Sequence, residues 1–206
     1  MKHPNSQHLY ECWNRARGEH PAPLRSELTP RHLKAVLPNM FIVERHGARS
    51  YPFRLAGTAL CRMFARELSG ENFLRPWSPA ERECLDSLLY TVSEDLAGAV
   101  LGARGYSVDG REHALECLIL PALADSDRRV QVMGVFSLAV GDKALDRSPL
   151  LTVRLASLRL IWPGRMPHFI DLDGSIGIDE FADAAPPPPR SRRRGNFWVI
   201  DGGADG

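Results

Sequence analysis

Residues 51–70, YPFRLAGTALCRMFARELSG, change their apolar period halfway along. Tyr51, Phe53 and Leu55 alternate with Pro52 and Arg54, the two-residue repeat of a strand with one buried side. After Gly57-Thr58 the apolar positions become Leu60, Met63, Phe64 and Leu68, one face of a helix, and Gly70 supplies the left-handed residue that a helix end favours. Upstream, the apolar run Phe41-Ile42-Val43-Glu44 is separated from the strand by His46-Gly47-Ala48, so the two predict a hairpin. Downstream, Ser78-Pro79-Ala80-Glu81 sets a serine cap and a first-position proline before a glutamate, the pattern of a reciprocal capping box. Leu85, Leu88, Leu89, Val92 and Leu96 then hold one helical face. Three more strands come next: 99–106, 112–120 beyond the Asp109-Gly110 turn, and 130–140 beyond Asp125-Ser126-Asp127. From Phe41 to Ala139 the order is strand, strand, short helices, long helix, three strands. It predicts an α+β domain, an antiparallel β-sheet with helices crossing one face.

Ahead of this block, Leu9, Cys12, Trp13 and Ala16 recur at helical spacing as far as Gly18. Thr29-Pro30 opens a second short helix carrying Leu33, Val36 and Leu37, closed by Pro38. This N-terminal helical extension, residues 1–38, needs an apolar surface to cover, either the sheet's other face or a second copy in a homodimer. Leu9, Trp13 and Leu33 are the side chains expected to face that surface or a protein partner. The domain proper takes residues 39–142. Over 143–183, Leu151, Val153 and Leu155 alternate and Leu158, Leu160 and Trp162 prolong them, as a sixth strand or a docking arm. In 184–206, the run of four prolines followed by Arg-Ser-Arg-Arg-Arg predicts a disordered tail.

Charge excludes little by itself, with 26 Lys and Arg against 25 Asp and Glu. The four cysteines, Cys12, Cys61, Cys84 and Cys117, form no C-x-x-C pair, which argues against a zinc ribbon or a disulfide framework and for reduced thiols in a cytoplasmic protein. No apolar run follows Lys2 and His3 as in a signal peptide, and none reaches the ~20 residues of a membrane span; Leu150 to Trp162 is broken by Arg154 and Arg159. The sequence lacks a G-x-S-x-G elbow, a phosphate-binding G-x-x-x-x-G-K-S/T loop and an H-E-x-x-H helix, so no catalytic residues are assigned and a non-enzymatic role is expected. Asp171-Leu172-Asp173-Gly174, with Asp179-Glu180, lacks the spacing of a calcium loop and reads as solvated. Arg190 and Arg192 to Arg194, beside Phe197 and Trp198, have the residue types for nucleic-acid contact. The near-neutral chain and the lack of a helix-turn-helix pattern argue against that use.

The order of elements, with Leu55-Ala56-Gly57-Thr58 before the crossing helix, Arg66-Glu67-Leu68-Ser69-Gly70 at its end and Leu118-Ile119-Leu120-Pro121 closing a strand, resembles a PAS domain. Trp13-Asn14-Arg15-Ala16-Arg17-Gly18, Pro23-Leu24-Arg25 and Leu37-Pro38 are similar to a group of bacterial single-PAS proteins. The resemblance covers Leu9 to Val140. It implies a sensory or protein-interaction module with a pocket between sheet and crossing helices, signalling to a protein partner. Photosensory relatives carry a cysteine just after the landmark glycine; here Gly70-Glu71-Asn72-Phe73 places Phe73 there, which argues against covalent flavin. Haem-binding relatives offer a histidine from the long helix, and Ala80 to Leu96 contains none, which argues against haem.

The side chains expected around any pocket are Phe53, Leu55, Phe64, Phe73, Trp77, Leu85, Leu89 and Phe136. A small apolar or aromatic ligand fits there only if they leave a gap; a filled interior instead implies a constitutive adaptor. His113 and Cys117 share one side of a strand but stand about 13 Å apart, too far to hold one metal ion. They read as a partly exposed histidine and a buried thiol, or as pocket wall. If the odd-numbered side faces the helices, Leu115 and Ile119 join them; the other register puts Leu118 and Leu120 there.

Overall fold

The computed structural model describes residues 1–127, 129–139 and 148–162, and the backbone of 168–171, 191–194 and 197–200. The chain divides into Met1–Leu172 and Asp173–Gly206. In the first unit the helices are α1 (Pro4–Arg17), α2 (Pro30–Leu33), α3 (Thr58–Met63) and α4 (Pro79–Glu94). The strands are β1 (Met40–Val43), β2 (Phe53–Ala56), β3 (Gly98–Ser107), β4 (Glu112–Leu123), β5 (Val130–Leu138), β6 (Leu150–Ile161) and β7 (His168–Asp171). They form one antiparallel sheet in the order β2-β1-β5-β4-β3-β6-β7. The stretch Leu151 to Trp162 thus enters the sheet as β6, along the free edge of β3. In the second unit β8 (Ser191–Arg194) pairs antiparallel with β9 (Phe197–Ile200), within the stretch for which disorder is expected.

Two apolar layers hold the first unit together. Pairing sets Phe41 opposite Gly134, Cys117 opposite Phe136 and Leu101 opposite Cys117, so the odd-numbered side of β4 faces α3 and α4. Its even-numbered side presents Leu118, Leu120 and Ala122, with Met133, Val135, Ile42 and Val100, to the N-terminal extension. A sheet buried on both faces needs unbroken apolar strands, and β4 and β5 are nearly so. Gly134 is required by a close approach: a Cβ there would lie 2.1 Å from the Leu118 carbonyl oxygen and 2.5 Å from the Phe41 ring.

Three local expectations are corrected. The crossing helix α3 ends at Met63, not Gly70, because Ala65 turns left-handed at φ 48°. Gly70, at φ 78°, instead donates to the Phe53 carbonyl. At α4 the Ser78 hydroxyl donates to Glu81 Oε2 at 2.5 Å and no side chain caps the backbone. The other carboxylate oxygen of Glu81 accepts the Leu155 N–H of β6 at 2.9 Å, so this glutamate ties helix to sheet instead of closing a capping box. The second short helix spans only Pro30–Leu33 before a 3₁₀ turn at Leu37–Asn39.

The extension is fastened at its start. Glu116, on β4, accepts the main-chain N–H groups of Lys2 at 2.7 Å and His3 at 3.1 Å, while Asn5 Nδ2 donates to Ser137 Oγ of β5. Burial pushes the Glu116 carboxyl up, but the Lys2 N–H, the Ser6 hydroxyl, the His3 N–H and the N-terminal charge together more than offset it, so it titrates below its ordinary value. A carboxyl depressed in the folded state stabilises it above the unfolded pKa and loses that contribution as pH falls through the folded one. Glu116→Gln is therefore expected to cost about 1 kcal/mol at neutral pH. It is also expected to abolish the loss of α1 amide protection in acid, after correction for the intrinsic pH dependence of exchange, that is expected of the unsubstituted protein. Hydrogen exchange at two pH values checks both.

Candidate functional site

The space between the sheet and α3 and α4 is crossed by a chain of aromatic rings. Phe53 meets Phe41 edge-on at 6.1 Å between centroids, and both contact Phe73, at 5.9 and 5.2 Å. Phe73 meets Trp77 at 6.0 Å, Trp77 meets Phe136 edge-on at 6.0 Å, and Phe136 meets Phe64 at 6.2 Å. These separations lie in the range where rings attract one another. Leu85 and Leu89 of α4 are fully buried, as is Cys117 on the strand that carries Leu115. Phe41 belongs to this set although the sequence does not single it out, since its run Phe41-Ile42-Val43 shows no alternation to say which side faces in.

Leu55 is not part of the wall. It is 38% exposed and lines a surface groove with Ile42, Glu44, Arg54 and Gln131. The β1 to β2 pairing slips between Ile42 and Val43, so that Phe53 stands opposite Val43 while Leu55 stands opposite Ile42, with Arg54 as the extra residue. A bulge of one residue turns the side chains beyond it to the other face, which breaks the alternation that Tyr51, Phe53 and Leu55 display. Tyr51 instead goes inside at 0% exposure; its hydroxyl donates to Asp86 Oδ1 of α4 at 2.8 Å, and burial followed by that bond pushes its pKa up.

His113 is buried, at 3% exposure, and not the partly exposed histidine of the first of its two expected readings. It closes a polar cluster at the β3–β4 turn: Ser107 Oγ donates to Asp109 Oδ1 at 2.5 Å and stands 3.2 Å from His113 Nε2. The hydroxyls of Ser107 and Ser148 hold the Asp109 carboxyl down at about 2. A serine, a histidine and an aspartate meet here, yet in the wrong order for nucleophilic catalysis. The Asp109 carboxylate binds the hydroxyl, and no contact between Asp109 and the imidazole sets the ring as a catalytic base. The cluster pins the turn, where Gly110 takes φ 79°.

The buried thiol of Cys117 is pushed far up by burial and is no nucleophile. Among the described residues no three His, Cys, Asp or Glu side chains gather to hold a metal, and no helix is long and apolar enough to cross a membrane. A flavin bound through a cysteinyl adduct does not fit this interior: Phe73 is 2% exposed and its ring is held by Phe41, Phe53 and Trp77.

On the opposite face, Leu9, Trp13 and Leu33 are buried against Leu118, Leu120, Met133 and Val135. Trp13 Nε1 donates to the Pro121 carbonyl at 2.6 Å, its ring stacks on Tyr10, and the Arg17 guanidinium lies 5.4 Å from its centre. The side chains of the acidic stretch 171–180 and of Arg190 to Trp198 lie outside the described residues.

A search of curated proteins finds no match. Among solved structures, a light-oxygen-voltage domain studied with a flavin analogue has 15% identity and a TM-score of 0.43, the match covering 54% of this chain and 84% of that one. The light-state LOV domain of the blue-light photoreceptor Aureochrome1 has 16% identity and a TM-score of 0.40, covering 54% and 89%. An RNA-binding light-oxygen-voltage receptor has 16% identity and a TM-score of 0.41, covering 56% of this chain and 34% of its own. The PAS domain family matches residues 1–137, a span that takes in the N-terminal helical extension as well as β1 to β5. With an antiparallel sheet, helices crossing one face and that match over most of its length, the chain belongs to the PAS domain family.

Proposed function

We propose that the chain is a non-enzymatic regulatory PAS module that signals by associating with a protein partner, with an interior filled by its own side chains and an N-terminal extension whose docking is read out. The observation that carries this reading is the unbroken series of ring contacts from Phe53 to Phe64, which occupies the space between sheet and helices. A filled interior favours an adaptor over a receptor for a small apolar ligand. The extension is then the natural output, because it covers Leu118, Leu120, Met133 and Val135 on the second face while its fastening rests on a few bonds such as those to Glu116. A partner acts by preferring one of two arrangements, docked or released, and shifts their populations by the difference in its affinity for them.

The test is an absorbance spectrum and a native mass spectrum of protein purified without denaturant. The expected mass is that of the polypeptide or its dimer alone, with no absorbance beyond that of the aromatic residues. A stoichiometric small molecule that survives purification would overturn the filled interior and restore the ligand-sensing alternative.

A further inference from the structure

On the solvent-facing side of the extension, two side chains of α1 and one main-chain carbonyl converge. His8 Nε2 lies 2.7 Å from the carbonyl oxygen of His32, Cys12 Sγ lies 3.7 Å from the same oxygen, and the two side-chain atoms are 3.8 Å apart. His8 and Cys12 are four residues apart on one helix and therefore share a face. The carbonyl is set by its own surroundings: the His32 ring nitrogen Nδ1 is 3.0 Å from Thr29 Oγ1, and the His32 N–H donates to the Thr29 carbonyl at 3.0 Å.

We propose that His8 Nε2, Cys12 Sγ and the His32 carbonyl oxygen form a binding site for a borderline-soft divalent metal ion of the zinc class, which clips α1 to the α2 segment. The donor set of one imidazole, one thiolate and one oxygen suits such an ion. Geometry supports it as well. Nitrogen and sulfur ligands at about 2.1 and 2.3 Å on tetrahedral angles stand about 3.6 Å apart, close to the 3.8 Å found here between His8 and Cys12. The separation of sulfur and carbonyl oxygen, 3.7 Å, agrees equally well. The 2.7 Å between imidazole and carbonyl must open by less than about 1 Å, to the ~3.4 Å of two first-row ligands, which a side chain at the surface accommodates. With three protein donors the fourth position is left to water.

Binding forms three metal–ligand bonds and displaces three waters from the hydrated ion: the Cys12 thiol releases its one proton to solvent, while the His8 ring, with its proton on Nδ1, and the His32 carbonyl coordinate without losing a proton.

The experiment is a titration of the full reduced chain with Co2+, whose thiolate-to-metal absorption reports sulfur ligation, followed by displacement with Zn2+. One equivalent with that absorption is expected. Cys12→Ser is expected to abolish the band, and His8→Gln to weaken binding by at least about tenfold. Zn2+ is expected to raise the melting temperature of the unsubstituted chain but not of Cys12→Ser. Both variants should melt like the parent in chelator, because neither side chain is fully buried. A parent chain that shows no thiolate band overturns the proposal. So does a band that persists in Cys12→Ser, since the sulfur would then come from another cysteine.

Discussion

Trp13→Ala is expected to lower stability by about 3–5 kcal/mol, the cost of emptying a large aromatic site in a packed layer. Trp13 is 1% exposed, and the change removes its contacts with the outer face as well as the donor to Pro121 O. Against a total of about 5–15 kcal/mol this is a large share. Trp13→Phe separates the two contributions: most of the apolar contact survives, but the Pro121 carbonyl loses its indole N–H, for about 1–3 kcal/mol. Urea denaturation of both variants should therefore rank alanine well below phenylalanine. Amide exchange in Trp13→Ala says more about function. If the extension works as a dockable cap, α1 amides accelerate while those of β3 to β5 stay near parent rates. Equal acceleration in helix and sheet would make α1 an ordinary wall of the core and remove it as the output element.

The two layers are held unequally. The inner layer is closed covalently on both sides, since α3 and α4 are flanked by strands before and after them. The outer layer is covered by a segment that runs into β1 at Pro38 and is otherwise held to the sheet by bonds such as those of Lys2 and His3 to Glu116, of Trp13 to Pro121 O and of the Leu123 N–H to Pro23 O. Releasing it exposes Leu118, Leu120, Met133 and Val135 together, an apolar surface that a partner must cover in turn. A partner that supplies its own amphipathic helix meets that requirement with the same chemistry as α1.

The order of strands and helices was legible because each carries its own period, and that depends only on neighbours along the chain. The features that escaped the sequence depend on distant main-chain pairing. The slip between Ile42 and Val43 turned Leu55 outward, although its alternation with Phe53 pointed in. Glu81 had the spacing of a capping residue and was claimed instead by the Leu155 N–H, 74 residues away. Gly70 looked like the end of a helix and serves as a donor to Phe53 O. His113, read as a partly exposed histidine or as pocket wall, is buried with Ser107 Oγ beside its Nε2. The aromatic wall was mostly visible, as Phe53, Phe64, Phe73, Trp77 and Phe136, since large apolar side chains in a domain of this size have few places but the core. Their mutual contact was not visible. It is this contact that distinguishes a filled interior from a pocket.

Trp77→Ala tests that distinction by making a cavity where the structure has a ring. Trp77 is 1% exposed and lies between Phe73 and Phe136, so its removal interrupts the aromatic chain at its middle. The expected cost is again about 3–5 kcal/mol, with the spread set by how far the neighbours relax into the gap. An apolar cavity in a protein interior stays dry and accepts an aromatic guest of matching size. Indole should therefore raise the melting temperature of Trp77→Ala, recovering up to about 2.7 kcal/mol at a hundredfold excess over its Kd. It should leave the parent chain unchanged, because there the site is already occupied from within. Equal stabilisation of parent and variant by indole would mean that the parent already holds a cavity. The domain would then be a receptor for a small aromatic ligand, and the extension would report occupancy of the inner layer across the sheet.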